Sequence, residues 1–207
     1  MPYDTAVTTA RKFLQSQFNM PDSATVKHLN REELDAGLDN IQRSPSAYGP
    51  VEMIVRRPSS GEREILADGS LDLVEGLCGD NWKARGNAKT PDGLAHPETQ
   101  VTLMNSRAIA LIAQNRDRWP LAGDQIFVDM DLSIENIPPG TQLSIGSAVV
   151  QITPIPHTGC KKFVERFGMD AMLFVNSEVG RALNLRGVNA RVIRAGVVTV
   201  GDSVAKL

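Results

Sequence analysis

The sequence predicts an α+β protein: short strands form a barrel, helices flank it, and a helical extension precedes it. Three observations support this fold class. From Val51 onward, short apolar stretches are separated by Gly and Pro, which is typical of small barrels. Three other stretches, 106–114, 161–167 and 172–183, have helical spacing of apolar residues instead. Residues 1–50 show few strand signals, so we expect a helical and loop extension there, packed on a main domain of residues 51–207.

The extension contains two helix signals. Asp4 can cap a helix that runs to Met20-Pro21, because the apolar positions between them follow helical spacing. Residues 31–34 indicate a second, short helix. Residues 44–45 and Tyr48-Gly49-Pro50 have the composition of loops.

The main domain is expected to contain strands of alternating pattern and two groups of helices. Asn105 can cap the helix 106–114, and Gly196 is expected to form a bulge or turn within a long final stretch. The stretch Cys78-Gly79-Asp80-Asn81-Trp82 and the polar loop that follows it through Gly93 form a site candidate, because a loop of that length in a compact domain is usually functional or mobile. The predicted strands are 51–57, 63–67, 100–104, 125–128, 143–145, 148–153, 188–200 and 203–206.

Composition restricts the classes of function. The 207 residues carry a formal charge of −2, so no general positive field favours nucleic acid, and any anion site must be local. No apolar stretch approaches the roughly 20 residues that cross a bilayer, and the N-terminus lacks a signal-peptide pattern. Two cysteines are too few for a disulfide framework, although a single Cys78–Cys160 bond stays open. We therefore expect a cytoplasmic protein that binds neither membranes nor nucleic acids.

The segment Ile152–Phe163, which reads I-T-P-I-P-H-T-G-C-K-K-F, carries the strongest signal of chemistry. It places Cys160 between an apolar strand and a predicted helix, directly before two lysines. A thiolate is the reactive form of cysteine, and positive charge and a helix N-terminus both favour it. The alternative is that Cys160 is a small buried hydrophobic residue.

Several pieces in a fixed order resemble the MOSC domain, the family related to the C-terminal domain of molybdenum cofactor sulfurase. The resemblance covers roughly Leu77 to the C-terminus. Its pieces are Gly79-Asp80 followed by a Trp and a basic loop, His96 before Q-V-T-L, glycines at 140 and 146 before a strand, Pro156-x-x-x-Cys160, and R-G-V-N-A-R-V-I-R-A-G-V-V-T-V-G-D-S-V from Arg186 to Val204.

The resemblance implies a mixed, strand-rich barrel with a pocket that contains one cysteine, which by position is Cys160. Members of the family are thought to carry sulfur as a persulfide or to bind molybdopterin, and in its reductases the cysteine is a molybdenum ligand. Pyridoxal phosphate binding is also associated with the family. The sequence departs from the family in two respects. Residues 124–128 read D-Q-I-F-V where members often have an Arg-Glu-Asn-Leu-like segment. We also expect the protein to lack the extra N-terminal domain of the larger reductases.

The candidate catalytic residues are Cys160, which is also the molybdenum ligand if the cofactor binds, and His157. His157 can orient a ligand or act as acid or base near the thiol, or it is only a turn residue. A pterin cofactor carries a phosphate, which requires cationic donors. Asp80 is read either as a weak site candidate or as a turn residue. The candidates for cofactor binding are Lys161, Lys162, Asp80, Trp82, Lys83, Arg85 and Arg191, with Arg107 as a further cation.

These observations leave three functions open. The first is a protein that binds the molybdenum cofactor or carries sulfur on Cys160, with a cysteine desulfurase as its partner. The second is a small molybdenum-dependent reductase of N-hydroxylated compounds, which needs an electron-donor protein because no flavin, haem or iron–sulfur motif is present. The third is a non-catalytic module that binds an anionic small molecule. A zinc site made of Cys78, His96, His157 and Cys160 has only one short ligand spacing, which is weak support.

Overall fold

The computed structural model describes residues 27–87 and 90–207. The helix predicted from Asp4 to Met20 lies outside the described residues. The elements, in chain order, are α1 Arg31–Ala36, α2 Leu38–Gln42, β1 Tyr48–Arg56, β2 Glu64–Leu66, β3 Asp68–Asp72, β4 Gly76–Leu77, α3 Trp82–Arg85, β5 Val101–Asn105, α4 Ser106–Ala113, β6 Ile126–Val128, β7 Gln142–Ile145, β8 Ala148–Ile152, α5 Lys161–Phe167, α6 Met169–Asn176, α7 Glu178–Ala182, β9 Val188–Arg194, β10 Gly196–Thr199 and β11 Ser203–Lys206, with 3-10 turns at Pro97–Thr99 and Arg116–Ala122.

Seven strands close into a barrel in the order β11-β7-β8-β9-β5-β6-β1, and pairing of β1 with β11 completes the ring. The barrel is mixed, because β5 and β6 run parallel while its other neighbouring strands are antiparallel. β2 extends β1 at one end, and β10, β3 and β4 form a separate small sheet. The predicted α+β class with a strand-rich mixed barrel is therefore confirmed.

The long strand β1 makes closure possible. Its first residues, Tyr48 to Pro50, pair with β11, and the part from Val51 to Ile54 pairs with β6 across a register shift. Such a bulge bends a strand and increases its twist, which is how a strand turns a barrel corner. The prediction that Tyr48-Gly49-Pro50 is a loop was wrong. Although Gly and Pro are poor strand residues, a Cβ at Gly49 would collide with the carbonyl oxygen of Asp129, so the close approach of two chains requires glycine there.

Two other predicted elements are divided in the structure. The expected single strand 188–200 is split into β9 of the barrel and β10 of the small sheet, with Gly196 at the start of β10. The expected helix 172–183 is also wrong as a single helix, because α6 ends at Asn176 and Ser177 caps α7 by accepting a hydrogen bond from the Gly180 backbone N–H. A serine hydroxyl that competes for backbone donors favours such a restart. Val179, which the apolar spacing of a single helix 172–183 would bury, is 46% exposed.

Apolar side chains form two layers. One fills the barrel, with Ile54, Leu103 and Ile126 fully buried in it. The second lies between the barrel and the helices, where α5 contributes Phe163 and Phe167. Leu34 of α1 and Ile41 of α2 belong to this second layer, so the described part of the expected extension packs against the helices and the barrel. Within the described residues, no helix is long and apolar enough to span a bilayer.

Candidate functional site

Cys160 lies at the junction between strand β8 and helix α5. β8 ends at Ile152, residues 153–160 have no regular secondary structure, and Cys160 directly precedes the first residue of α5. The segment is anchored at Gly159, whose N–H donates to the side-chain oxygen of Asn176 at 2.9 Å while its carbonyl accepts from the same amide at 3.2 Å. With Phe163 buried below, Cys160 is held at the surface as an exposed free thiol.

The thiol lines a cavity of about 390 Å³, which we call the basic pocket. Its walls come from the ends of several elements that are far apart in sequence. Among its lining residues, six cations stand against one carboxylate, Glu165. The cations are Arg57, Arg63, Arg85, Lys162, Arg166 and Arg186.

Two of these cations are neutralised by buried carboxylates. Arg57 donates from Nε and Nη2 to the two oxygens of Asp80 at 2.8 and 2.7 Å, in a bidentate pair. Arg186 donates from Nη1 to Asp124 at 2.6 Å and from Nη2 to the carbonyl of Ala122. Both carboxylates are fully buried, so the pairs fix the two guanidinium groups in the pocket wall.

The remaining cations keep a net positive charge in the pocket. Arg63 donates to the carbonyl of Pro120 and Arg166 to that of Leu121, and carbonyl groups satisfy hydrogen bonds without cancelling charge. Burial, followed by the neighbouring guanidinium groups of Arg166 and Arg57, lowers the pKa of Arg63. Because an arginine stays protonated in spite of such a shift, the pocket is a place where an anion would relieve repulsion.

His157 lies three residues before Cys160 but lines a different cavity. This second cavity, which we call the inner cavity, has a volume of about 270 Å³ and shares only Arg186 with the basic pocket. Nδ1 of His157 is 3.3 Å from Oδ1 of Asp124, and neither atom makes a hydrogen bond of good geometry within the described structure. Burial and the charge of Arg186 lower the pKa of His157 to about 3 against the opposing effect of Asp124, so the imidazole is neutral at pH 7.

The structure brings three of the predicted site residues to the basic pocket, namely Cys160, Lys162 and Arg85. Asp80 supports the pocket through Arg57, and its neighbour Asn81 lines the pocket. The others lie outside its lining. Trp82 is buried, and its indole N–H donates to Thr99. Lys83 pairs with Glu75, and Arg107 pairs with Asp129. Arg191 donates to Gln151, and Lys161 is an exposed residue of α5.

Sequence reasoning missed four residues of this site: Arg57, Arg63, Arg166 and Asp124. Each arginine stands in a stretch with no motif of its own, where an exposed cation is the usual case. For Asp124, the available signal was the departure from the family pattern at 124–128, which places a carboxylate two residues before a buried strand. Arg186 was part of the recognised motif but had not been given a role.

The described residues offer no ready-made metal cluster. Across 27–87 and 90–207, no group of three His, Cys, Asp or Glu side chains is placed to hold a metal ion. Cys78 and Cys160 are both free thiols. Among the described residues that line the basic pocket, Cys160 is the soft ligand.

The class of protein is thus one with a closed mixed barrel and one exposed cysteine in a cationic pocket. A model of the MOSC domain family matches residues 91–205, which is more than half of the chain, and the chain belongs to that family. No curated protein sequence gives a significant match.

Two solved structures show a similar fold at low sequence identity, and a third aligns less well. The YUAD protein from Bacillus subtilis aligns with a TM-score of 0.53 and 14% identity over 76% of this chain and 94% of that chain. A crystal structure titled only as that of a hypothetical protein aligns with a TM-score of 0.52 and 19% identity, over 77% and 68% of the two chains. YiiM from Escherichia coli aligns with a TM-score of 0.49 and 18% identity, over 77% and 69%.

Proposed function

We propose that the basic pocket binds the phosphate-bearing pterin of the molybdenum cofactor and that Cys160 carries sulfur as a persulfide beside it. One observation supports this above all others: an exposed thiol shares a pocket with cations that outnumber the carboxylates lining it. Neighbouring positive charge favours the thiolate, and it also favours a bound phosphate.

The residues of the pocket fit such a cofactor. Guanidinium groups recognise phosphate oxygens with paired donors, and Arg63, Arg85 and Arg166 supply them with no buried carboxylate in competition. The Cys160 sulfur is a soft ligand that suits either a sulfane sulfur or molybdenum. When bound, the cofactor would supply redox chemistry at its metal. The part of the protein is to hold the phosphate and to present the Cys160 sulfur to a partner.

Sulfur loading of Cys160 is a simple exchange that needs no oxidant. The Cys160 thiolate attacks the terminal sulfur of a persulfide on a cysteine desulfurase, the sulfur–sulfur bond of the donor breaks, and the donor thiolate leaves. A new sulfur–sulfur bond joins the transferred sulfur to Cys160, and the exchange involves no net oxidation or reduction. The exposed position of Cys160 allows the donor to approach, and free thiols are in keeping with a cytoplasmic setting.

The runner-up is a molybdenum-dependent reductase of N-hydroxylated compounds, in which Cys160 ligates the metal and a separate protein supplies electrons. The same pocket supports this alternative, because phosphate binding near the thiol would hold the metal in its vicinity. The third alternative is a binding module for an anionic small molecule in which Cys160 has no chemical role.

One experiment separates the three. The protein and its Cys160→Ser and Cys78→Ser variants are expressed with molybdate, and their molybdenum and pterin contents are measured. Each is then incubated with a cysteine desulfurase and cysteine, and the intact mass is measured before and after reduction. Pyridoxal phosphate serves as a comparison ligand, since it carries a phosphate without a pterin or a metal.

The proposal predicts bound pterin and a gain of one reducible sulfur in the wild type and in Cys78→Ser, with no sulfur gained by Cys160→Ser. Loss of molybdenum from Cys160→Ser without any sulfur gain in the wild type would favour the reductase. Equal binding of pterin and pyridoxal phosphate, together with a Cys160 that gains no sulfur, would support the third alternative, a binding module for an anionic small molecule.

A further inference from the structure

The inner cavity is distinct from the basic pocket and has no part in the proposed function. Its walls are mainly aliphatic, with Ile134, Ile137, Ile152, Ile155, Val175 and Val188 among its lining residues. At about 270 Å³ it exceeds the roughly 150 Å³ at which an apolar protein cavity takes up benzene. It is therefore large enough for a six-membered ring with a substituent, or for a short aliphatic chain.

The charged side chains that line this cavity are all positive. No Asp or Glu is among its lining residues, whereas Arg181 and Arg186 are. Arg186 is already neutralised by Asp124. Arg181 lies in α7 and is exposed, and its guanidinium group makes no ion pair or hydrogen bond with any described residue. The free charge of the cavity is therefore that of Arg181, on its exposed side.

The other polar side chains of the lining, among them His157, Asn184 and Asn189, carry no charge. His157 also lines the cavity, its imidazole is neutral, and its Nδ1 lies 3.3 Å from Oδ1 of Asp124. A ligand that fits these surroundings has an apolar body inside the cavity and one negative charge at the exposed side. A neutral ligand would leave Arg181 unused, and a cation would be repelled by it.

We propose that the inner cavity binds a small amphipathic carboxylate, with its ring or short chain against the aliphatic wall and its carboxylate on Arg181. This inference stands apart from the proposed function, because the two cavities share only Arg186. Its failure would leave the proposal for Cys160 unaffected.

The test uses benzoate as the probe and benzyl alcohol as its uncharged counterpart of similar size. Each is titrated into the full chain, and binding is followed by chemical-shift changes of methyl groups and backbone amides. We expect saturable benzoate binding with shifts at Ile134, Ile155 and Val188, and weaker binding of benzyl alcohol. In Arg181→Gln, the benzoate affinity should fall about threefold to tenfold, as for loss of a charged hydrogen bond at a partly exposed site.

Two further variants make the result specific. Ile134→Asp changes a half-exposed wall residue and places a negative charge on the cavity, so it should weaken benzoate more than benzyl alcohol. Arg194→Gln removes an exposed arginine of β9 that lines neither cavity and should change nothing. Equal affinity for both probes, benzoate shifts confined to the basic pocket, or an unchanged affinity in Arg181→Gln would each overturn the inference.

Discussion

Asp124 is the residue on which both cavities depend. It is fully buried, it accepts a hydrogen bond from Arg186, and it lies beside His157. These three residues come from different parts of the chain, so no local pattern links them. The sequence marked the position only as a departure from the family segment at 124–128. Its role follows from the environment, because a buried arginine without a carboxylate would be costly.

The neutral state of His157 predicts a pH dependence of stability. Its pKa is about 3 in the folded protein and near 6.5 in the unfolded chain, so between these values the unfolded chain binds more protons. The contribution is fully present above pH 6.5 and is lost as the pH falls through this window. We expect the free energy of unfolding to fall by about 2 kcal/mol from this group between pH 7 and pH 5.

The matched variant for this prediction is His157→Asn, which does not titrate. Urea unfolding at pH 7, 6 and 5 should show a smaller pH slope in the variant than in the wild type. If both proteins lose the same stability between pH 7 and pH 5, His157 is not buried in its neutral form.

A second prediction at this scale concerns Asp124 itself. Asp124→Asn removes the charge that compensates Arg186, and breaking such a buried pair should cost about 3–5 kcal/mol. Asp129→Asn is the control, because Asp129 pairs with Arg107 where both side chains are about a quarter exposed. That change should cost about 1 kcal/mol or less. Chemical denaturation measures both values, and equal losses would contradict this account of the site.

At the scale of elements, the restart of the helix at Ser177 positions Arg181 and the wall of the inner cavity. Ser177 accepts from the Gly180 N–H at 3.0 Å, and Gly180 itself lies against the backbone of Phe174 and Val175, where a Cβ would collide. The apolar spacing of residues 172–183 predicts one helix, and it conceals this break. Only the serine hydroxyl and the glycine mark the break, and both residues are also tolerated within helices.

Ser177→Ala tests the cap. Loss of a side-chain cap typically costs about 1 kcal/mol, so we expect a loss of that size in the free energy of unfolding. Ser70→Ala, at an exposed position of β3, should stay within about 0.5 kcal/mol of the wild type. A loss in Ser177→Ala no larger than in Ser70→Ala would mean that the hydroxyl does not hold the start of α7.

At the scale of the whole molecule, closure of the barrel assembles the basic pocket. Arg57 follows β1, Arg85 ends α3, Arg166 lies in α5 and Arg186 precedes β9, so their meeting depends on strand pairing across the full chain. The individual strands of the barrel were predictable from alternation and from Gly and Pro, whereas β3 and β4 of the small sheet were not among the predicted strands. The β1–β11 pairing was not, because it joins Tyr48–Pro50, which have loop composition, to the last strand.

The candidate site, like the fold, was only partly predictable from the sequence. Cys160, Lys162 and Arg85 could be named from local sequence and from the resemblance. Arg57, Arg63 and Arg166 could not, because an arginine gives the same local signal whether it is solvated or part of a pocket wall. From the sequence, Lys83 and Arg191 were as suitable as Lys162 and Arg85, yet Lys83 pairs with Glu75 and Arg191 with Gln151 at the surface.

The most direct test of the account is the charge preference of Cys160 towards alkylating reagents. In a Cys78→Ala background, Cys160 is the remaining thiol, and its rates with iodoacetate and with uncharged iodoacetamide are compared at low and high salt. Attraction by the basic pocket predicts a roughly tenfold gain in the rate ratio in favour of iodoacetate over that of a free thiol. This gain should fall with salt and with the double change Arg63→Gln, Arg166→Gln. A ratio equal to that of a free thiol, unchanged by salt and by the double change, would contradict it.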